Sequence, residues 1–247
     1  MTIIGMKYVK RRLHYLPFLL LIYLTPLVNA NEPLKATGKV YWTEKKLGKI
    51  ILKADKAAMR KKWNRAIRYG EEMLLGSHAL DHHNDHRYIN LLKNLNKYYD
   101  NAGRIQEIPG RIEKAYISSR KYLGVAHNTT IESRNLYYKI IIFNKDYQRA
   151  IPLILENISI LGKSVEDRYR LSQYYRQLYS LYGLTRQLEK EEETLLKLLT
   201  LDRQLYGYDD QNNAKIILSL AKNYCLQKKL DAFEKIVQTY NLLYFCQ

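Results

Sequence analysis

Four histidines crowd one stretch of the chain: His78, His82, His83 and His86, interleaved with Asp81 and Asp85. His78 and His82, like His82 and His86, are four residues apart. On a helix that spacing sets both imidazoles on one face, which suits Zn²⁺. No His-Glu-x-x-His arrangement supplies a general base beside them. The expectation is a polar loop without a bound metal or cofactor, with His78, His82 and His86 as weak metal candidates. His127 is also expected in a loop. Cys225 and Cys246 carry the other soft chemistry. Helical rise along the last two helices sets them roughly 18 Å apart, outside disulfide reach. That register predicts an unpaired tail thiol, or a bond from Cys246 to another chain. No Ser-His-Asp or Cys-His constellation and no glycine-rich phosphate loop occur, so catalysis is not expected. Asn128-Thr129-Thr130 and Asn157-Ile158-Ser159 match glycosylation sequons, which matter only in a eukaryotic secretory pathway.

The elements that must position these groups follow from composition. The chain has 247 residues, 47% of them hydrophobic, with 11 Gly and 5 Pro. So few breakers argue against an all-β sandwich and for helices. Two cysteines cannot build a disulfide scaffold. Residues 1–30 read as a secretory signal: Lys7, Lys10, Arg11 and Arg12 without an acid, an apolar stretch from Leu13 to Val28, and Val28-Asn29-Ala30 before cleavage. The uninterrupted apolar run is shorter than the about 20 residues of a membrane span and is broken by Pro17 and Pro26. The expected product is exported, periplasmic or secreted, with no transmembrane span after cleavage. The charge falls from +17 to +13, since 37 bases then face 24 acids. Residues 31–43 read as an unstructured lead-in with Trp42 exposed, and 44–247 as the folded domain.

Within that domain apolar residues recur at helical spacing between short polar loops. Trp63, Ile105, Tyr147, Leu188 and Leu230 each open a helix after a polar turn, at separations of 42, 42, 41 and 42. Six residues before each stand Ala57, Tyr99, Ile141, Tyr182 and Tyr224. First-helix residues such as Leu92, Leu95, Tyr137, Leu178, Tyr182, Ile217 and Leu220 must pack on neighbouring repeats, because one helix pair cannot bury its apolar face alone. The 23 tyrosines fall mostly on these stripes and read as packing residues with hydroxyls at the edge. Leu75-Gly76, Leu123-Gly124, Leu161-Gly162 and Tyr206-Gly207 predict glycine C-caps.

Motifs such as Lys145-Asp146-Tyr147-x-x-Ala150 and Tyr122-Leu-Gly-Val-Ala-His-Asn-Thr-Thr130 resemble long-repeat tetratricopeptide proteins of the kinesin light chain type, over roughly Glu44 to Tyr240. The unit is longer than the about 34 residues of an ordinary tetratricopeptide, and Arg186, Lys190 and Glu191 depart from its signature. The resemblance implies an all-α, right-handed α-solenoid of about five antiparallel helix pairs. It also implies a concave groove lined by first-helix residues that avoid the core. On this register they are Asn90, Lys93, Asn94, Lys97 and Asn101; Asn135 and Lys139; Gln173, Arg176, Gln177 and Ser180; Lys215, Ser219 and Lys222.

Amides both donate to and accept from a peptide backbone, while Lys and Arg meet carboxylates. The expected function is an exported, non-enzymatic adaptor holding a protein or extended acidic peptide. A second reading is an envelope or surface protein whose basic exterior binds an anionic polymer or lipid, drawing on Lys45, Lys46, Arg60, Lys61, Lys62, Arg65 and Arg68, or a secreted effector acting on host proteins; an enzyme, metal-dependent at the His cluster, comes third. No nucleic-acid fold motif is present, and export argues against genomic DNA.

Overall fold

The computed structural model describes residues 41–82, 85–208 and 211–246. The expected signal, nearly all of the expected lead-in, and His83 lie outside the described residues. Ten α-helices follow one another with no strand among the described residues: α1 (Glu44–Met59), α2 (Trp63–Ala79), α3 (His86–Asn101), α4 (Pro109–Leu123), α5 (Asn128–Phe143), α6 (Tyr147–Ser159), α7 (Val165–Leu184), α8 (Leu188–Tyr206), α9 (Gln211–Leu226) and α10 (Leu230–Tyr240). Each packs against the next, and α3 also packs against α5. The fold is an all-α solenoid of five helix pairs, and first helices of successive repeats lie side by side where α3 meets α5.

The 42-residue period has a backbone cause. Two residues before each second-helix start, the chain turns left-handed: Lys61, Gly103, Lys145, Arg186 and Lys228 have φ between 53 and 70°. In every repeat the next residue's N–H donates to the carbonyl six residues before the start (Lys62 to Ala57, Arg104 to Tyr99, Asp146 to Ile141, Gln187 to Tyr182, Lys229 to Tyr224), at 2.9–3.1 Å. This is the Schellman closure, which satisfies carbonyls that a helix end leaves open. Only one repeat puts glycine there. In the second repeat Ile105 opens a short 3₁₀ turn (Ile105–Glu107), and the α-helix itself begins at Pro109. Pro109 lacks an N–H to donate and suits a first helical position.

Apolar stripes from the helix pairs form three clusters. Ala66 and Ala150 are fully buried between the helices of their pairs, and small side chains there allow close approach. Of the four expected glycine caps, Gly124 and Gly207 hold with φ of 83° and 88° at the ends of α4 and α8. Gly76 instead sits buried inside α2, which runs on to Ala79. There it makes room for Trp42, which is half-buried against the first cluster rather than exposed. Gly162 lies beyond the end of α6, and its φ is not positive.

Core tyrosines do more than pack. Tyr98 donates to Asp55 at 2.9 Å, Tyr99 to Glu71 at 2.8 Å, and Tyr137 to Glu113 at 2.6 Å. Each bond ties a first helix to an acid on an earlier helix. Burial, with the hydrogen bond to Glu113, pushes the Tyr137 phenol up to about 12, so it stays a donor at any physiological pH.

The predicted separation of the cysteines is overturned. Cys225 and Cys246 form a disulfide with Cα atoms 5.5 Å apart. The 18 Å expectation assumed a last helix that carries the chain steadily away. In fact α10 has only 11 residues and ends at Asn241 in the left-handed conformation, and the tail then runs back to α9. Leu242 packs into the third cluster and Tyr244 lies 6.0 Å from Phe233, ring to ring.

Candidate interaction surface

The residues expected to line a groove fall into three environments. On α3 and α5 they bond across the seam between repeats. Lys93 and Lys97 both reach Glu132, at 2.9 and 3.3 Å. Lys139 reaches back to Asp100 at 2.5 Å, and Asn90 accepts from Thr129 while donating to the His86 carbonyl at 3.0 Å. These bonds place α3 and α5 residues on one shared face. They also fill it with its own counter-charges: Asp100 and Glu132, which the sequence register sets at the margins of the groove, pair into it with cations of the neighbouring first helix. Burial pushes the Glu132 carboxyl up, but Lys93 and Lys97 together hold it below the usual carboxylate range.

A second set turns toward the second helices. Arg176 pairs with Asp202 of α8, a fully buried carboxylate that also accepts from Ser172 at 2.6 Å. Asn135 accepts from Asn157 of α6 at 3.4 Å. Ser180 and Ser219 do not join that set: each donates back to a carbonyl of its own helix, Arg176 on α7 and Lys215 on α9, at 2.9 and 3.0 Å.

The third set stays open. Asn94 and Asn101 on α3, Gln173 and Gln177 on α7, and Lys215 and Lys222 on α9 are half-exposed or exposed. None of their side chains has a hydrogen bond or ion pair among the described residues. Lys215, Ser219 and Lys222 repeat at helical spacing, opposite the buried Ile216, Ile217 and Leu220. The basic surface is thus partly self-neutralised near α3 and α5 and open on α9.

Sequence reasoning missed the most heavily bonded polar centre. Arg134 on α5 is fully buried; it donates to Glu156 at 2.8 Å, to the Val125 carbonyl at 2.7 Å, and to Asn157. Glu156 on α6 also accepts from Tyr116 and, at 2.6 Å, from Arg120, both on α4. Burial pushes its carboxyl up, but the Tyr116 hydroxyl and the two guanidiniums outweigh burial and hold it below the ordinary range. The centre joins three helices and a loop, so its role is structural. It also buries Asn157, leaving that sequon no accessible amide.

Among the described residues, His78, His82 and His86 do not share one helix face. His78 belongs to α2, and His86 opens α3. Between them Asp81 turns left-handed at φ 61°, which destroys the helical face on which four-residue spacing would align them. His78 Nε2 lies 3.0 Å from the Tyr88 hydroxyl. His82 faces Glu44 through Nε2 and Asp85 through Nδ1 at 3.3 Å. Among the described residues no three metal-ligating side chains gather, and no helix is long and apolar enough to cross a membrane. His127 caps α5, accepting from the Thr129 N–H at 3.1 Å.

No protein-family profile matches the chain, and neither does any curated protein. Solved structures do. The nearly identical TPR-like repeats of a kinesin light chain candidate from Podosopora anserina superpose with a TM-score of 0.53 at 15% identity, over 80% of this chain and 98% of that one. A variant of the same repeats, with methionine in place of one glutamine, gives 0.53 at 14%, over 78% and 92%. BtubC (BKLC) from P. vanneervenii gives 0.51 at 16%, over 78% and 77%. With the recurrent helix-pair closure, these similarities show that the chain has the fold of long-repeat, kinesin-light-chain-like tetratricopeptide solenoids.

Proposed function

We propose that the protein is an exported, non-enzymatic adaptor that holds an extended segment of a protein partner along its first helices. The carrying observation is the open set: four amides on α3 and α7, and two cations on α9, without a hydrogen bond or ion pair among the described residues, on a fold whose structural relatives are repeat scaffolds. The amides suit a peptide backbone, and Lys215 and Lys222 suit its acidic side chains. The α3 and α5 cations contribute less to charge recognition because Glu132 and Asp100 already occupy them. Export is supported by the basic and apolar leader and by the Cys225–Cys246 bond, which belongs to oxidising compartments.

The test is fluorescence anisotropy with a labelled Glu-rich peptide. Lys215→Ala with Lys222→Ala should weaken binding by about tenfold, on the order of 1.4 kcal/mol, and Gln173→Ala with Gln177→Ala should also weaken it; Lys93→Ala should change it little. Binding that ignores all of these variants would sink the reading. Export is tested separately, by sequencing the N-terminus of the protein recovered outside the cytoplasm. A start at Asn31 supports it, and an intact Met1 refutes it.

A further inference from the structure

The first repeat differs from the others in charge. From Lys56 to Gly70 the chain carries six bases and no acid. The equivalent turns elsewhere hold Glu107, Asp146, Glu189 or Asp231 close by. The acids that α1 and α2 do possess are mostly drawn toward the third helix: Glu44 to His82 and Arg87, Asp55 to Tyr98, Glu71 to Tyr99 and Arg111.

What remains is a cleft of about 230 Å³ lined by Lys53, Lys56, Arg60, Lys62, Arg65 and Tyr69. Lys53 and Arg65 stand 5.8 and 5.9 Å from the Tyr69 ring centre, and Arg68 approaches it to 5.1 Å. None of the five lining cations has an acidic partner among the described residues, whereas Arg104, Arg111, Arg120, Arg134, Arg149 and Arg176 are all paired. The nearby guanidiniums of Arg65 and then Arg68 hold the Tyr69 phenol below its ordinary range, in keeping with the local positive potential. The N-terminal end of α2 adds to that potential: its first turn holds no acid and Lys62 makes no side-chain cap.

We infer that this cleft is a binding site for a compact ligand carrying clustered phosphate groups. The volume is below the ~300–1,000 Å³ of pockets for drug-sized ligands, so it fits a headgroup-sized anion. The cations converge from both helices and the turn. Arg60 and Arg65 offer planar forks that match phosphate oxygens in pairs, and the lysines act as point charges. An extended acidic peptide is the poorer match, because no amide in the lining would hold its backbone. The site is independent of the first-helix adaptor reading, and either can fail alone.

Calorimetric titration of the full chain with pyrophosphate at about 0.15 M NaCl, near physiological ionic strength, tests it, giving a saturable one-site isotherm. Lys53→Gln with Arg65→Gln should weaken that binding at least tenfold, with an unchanged melting temperature. Lys215→Gln with Lys222→Gln, which removes the same charge elsewhere, should leave it within twofold. Vesicles of phosphatidylcholine with and without phosphatidic acid identify the source. Sedimentation with phosphatidic acid, reversed by pyrophosphate, points to a lipid headgroup; pyrophosphate binding without sedimentation points to a soluble phosphate compound. The inference is overturned if no saturable binding occurs, if both double variants lose affinity equally, or if a Glu-rich peptide competes as tightly as pyrophosphate.

Discussion

Gly76 lies beneath the indole of Trp42 so closely that a β-carbon built on it would stand 2.5 Å from Trp42 Cζ3. Glycine inside a helix ordinarily costs about 0.5–1 kcal/mol against alanine, so Gly76→Ala would stabilise an open site. Here the added methyl must displace a ring held over the first cluster and over Lys46, whose Nζ is 4.6 Å from the ring centre. We expect Gly76→Ala to destabilise by about 1–3 kcal/mol, the usual range for overpacking. In the Trp42→Ala background the sign should reverse. Thermal melts of the double-mutant cycle measure both, and a stabilising Gly76→Ala in the Trp42 protein would contradict the contact.

The same glycine shows where the sequence could be read and where it could not. A polar turn every 42 residues reports backbone closures local in sequence, so the second-helix starts at Trp63, Tyr147, Leu188 and Leu230 were legible. Leu75-Gly76 looks like Leu123-Gly124, yet only the second has the positive φ of a cap. Gly76 instead lies inside α2 against Trp42, which is distant in sequence. Glu132 is legible at the margin of the groove, but its ion pair with Lys93, like Cys246 beside Cys225, was hidden for the same reason. Each depends on a neighbouring helix or a chain reversal that local pattern does not encode.

Lys145 and Arg186 occupy left-handed turns at φ 58° and 56°, a conformation that costs a side-chain-bearing residue roughly 1–2 kcal/mol. Both are exposed, and neither side chain is bonded among the described residues. Replacing either with glycine, as at Gly103, should stabilise by about 1 kcal/mol after glycine's larger unfolded-state entropy is counted. The two changes lie in different repeats and should be nearly additive. Urea denaturation of the single and double variants checks this, and a loss of stability would mean the lysine and arginine are held by more than backbone closure.

Glu156 is the acid on which Arg134, Arg120 and Tyr116 converge. Glu156→Gln should cost about 3–5 kcal/mol, because it leaves the fully buried Arg134 without its counter-charge. Arg134→Met should cost less, since Glu156 keeps Arg120 and Tyr116. The carboxyl is held below its ordinary 4.5 in the folded chain. Its stabilisation is therefore fully present above about pH 4.5 and is lost as pH falls through the lowered folded value. In acid titrations followed by circular dichroism, the Glu156→Gln protein should lose less additional stability over that window than the parent. Equal acid sensitivity in the two proteins would assign it to other carboxylates.

The terminal repeat has no following neighbour among the described residues to cover it, and α10 at 11 residues is shorter than isolated helices need for stability in water. Only Phe233 is buried along its length. The returning tail supplies the missing cover, and the Cys225–Cys246 bond fixes it across a sequence separation of 21. Closing a loop of that size removes unfolded-state entropy worth about 3 kcal/mol. Contacts in a solenoid are nearest-neighbour, so the loss on reduction should stay local. Hydrogen exchange in Cys246→Ser, or in reductant, should rise over 230–246 and the facing side of α9 while α1 to α6 keep their protection. Uniform loosening of the chain would instead make the bond a global constraint, and no change would mean that the tail holds its place by Leu242 and Tyr244 alone.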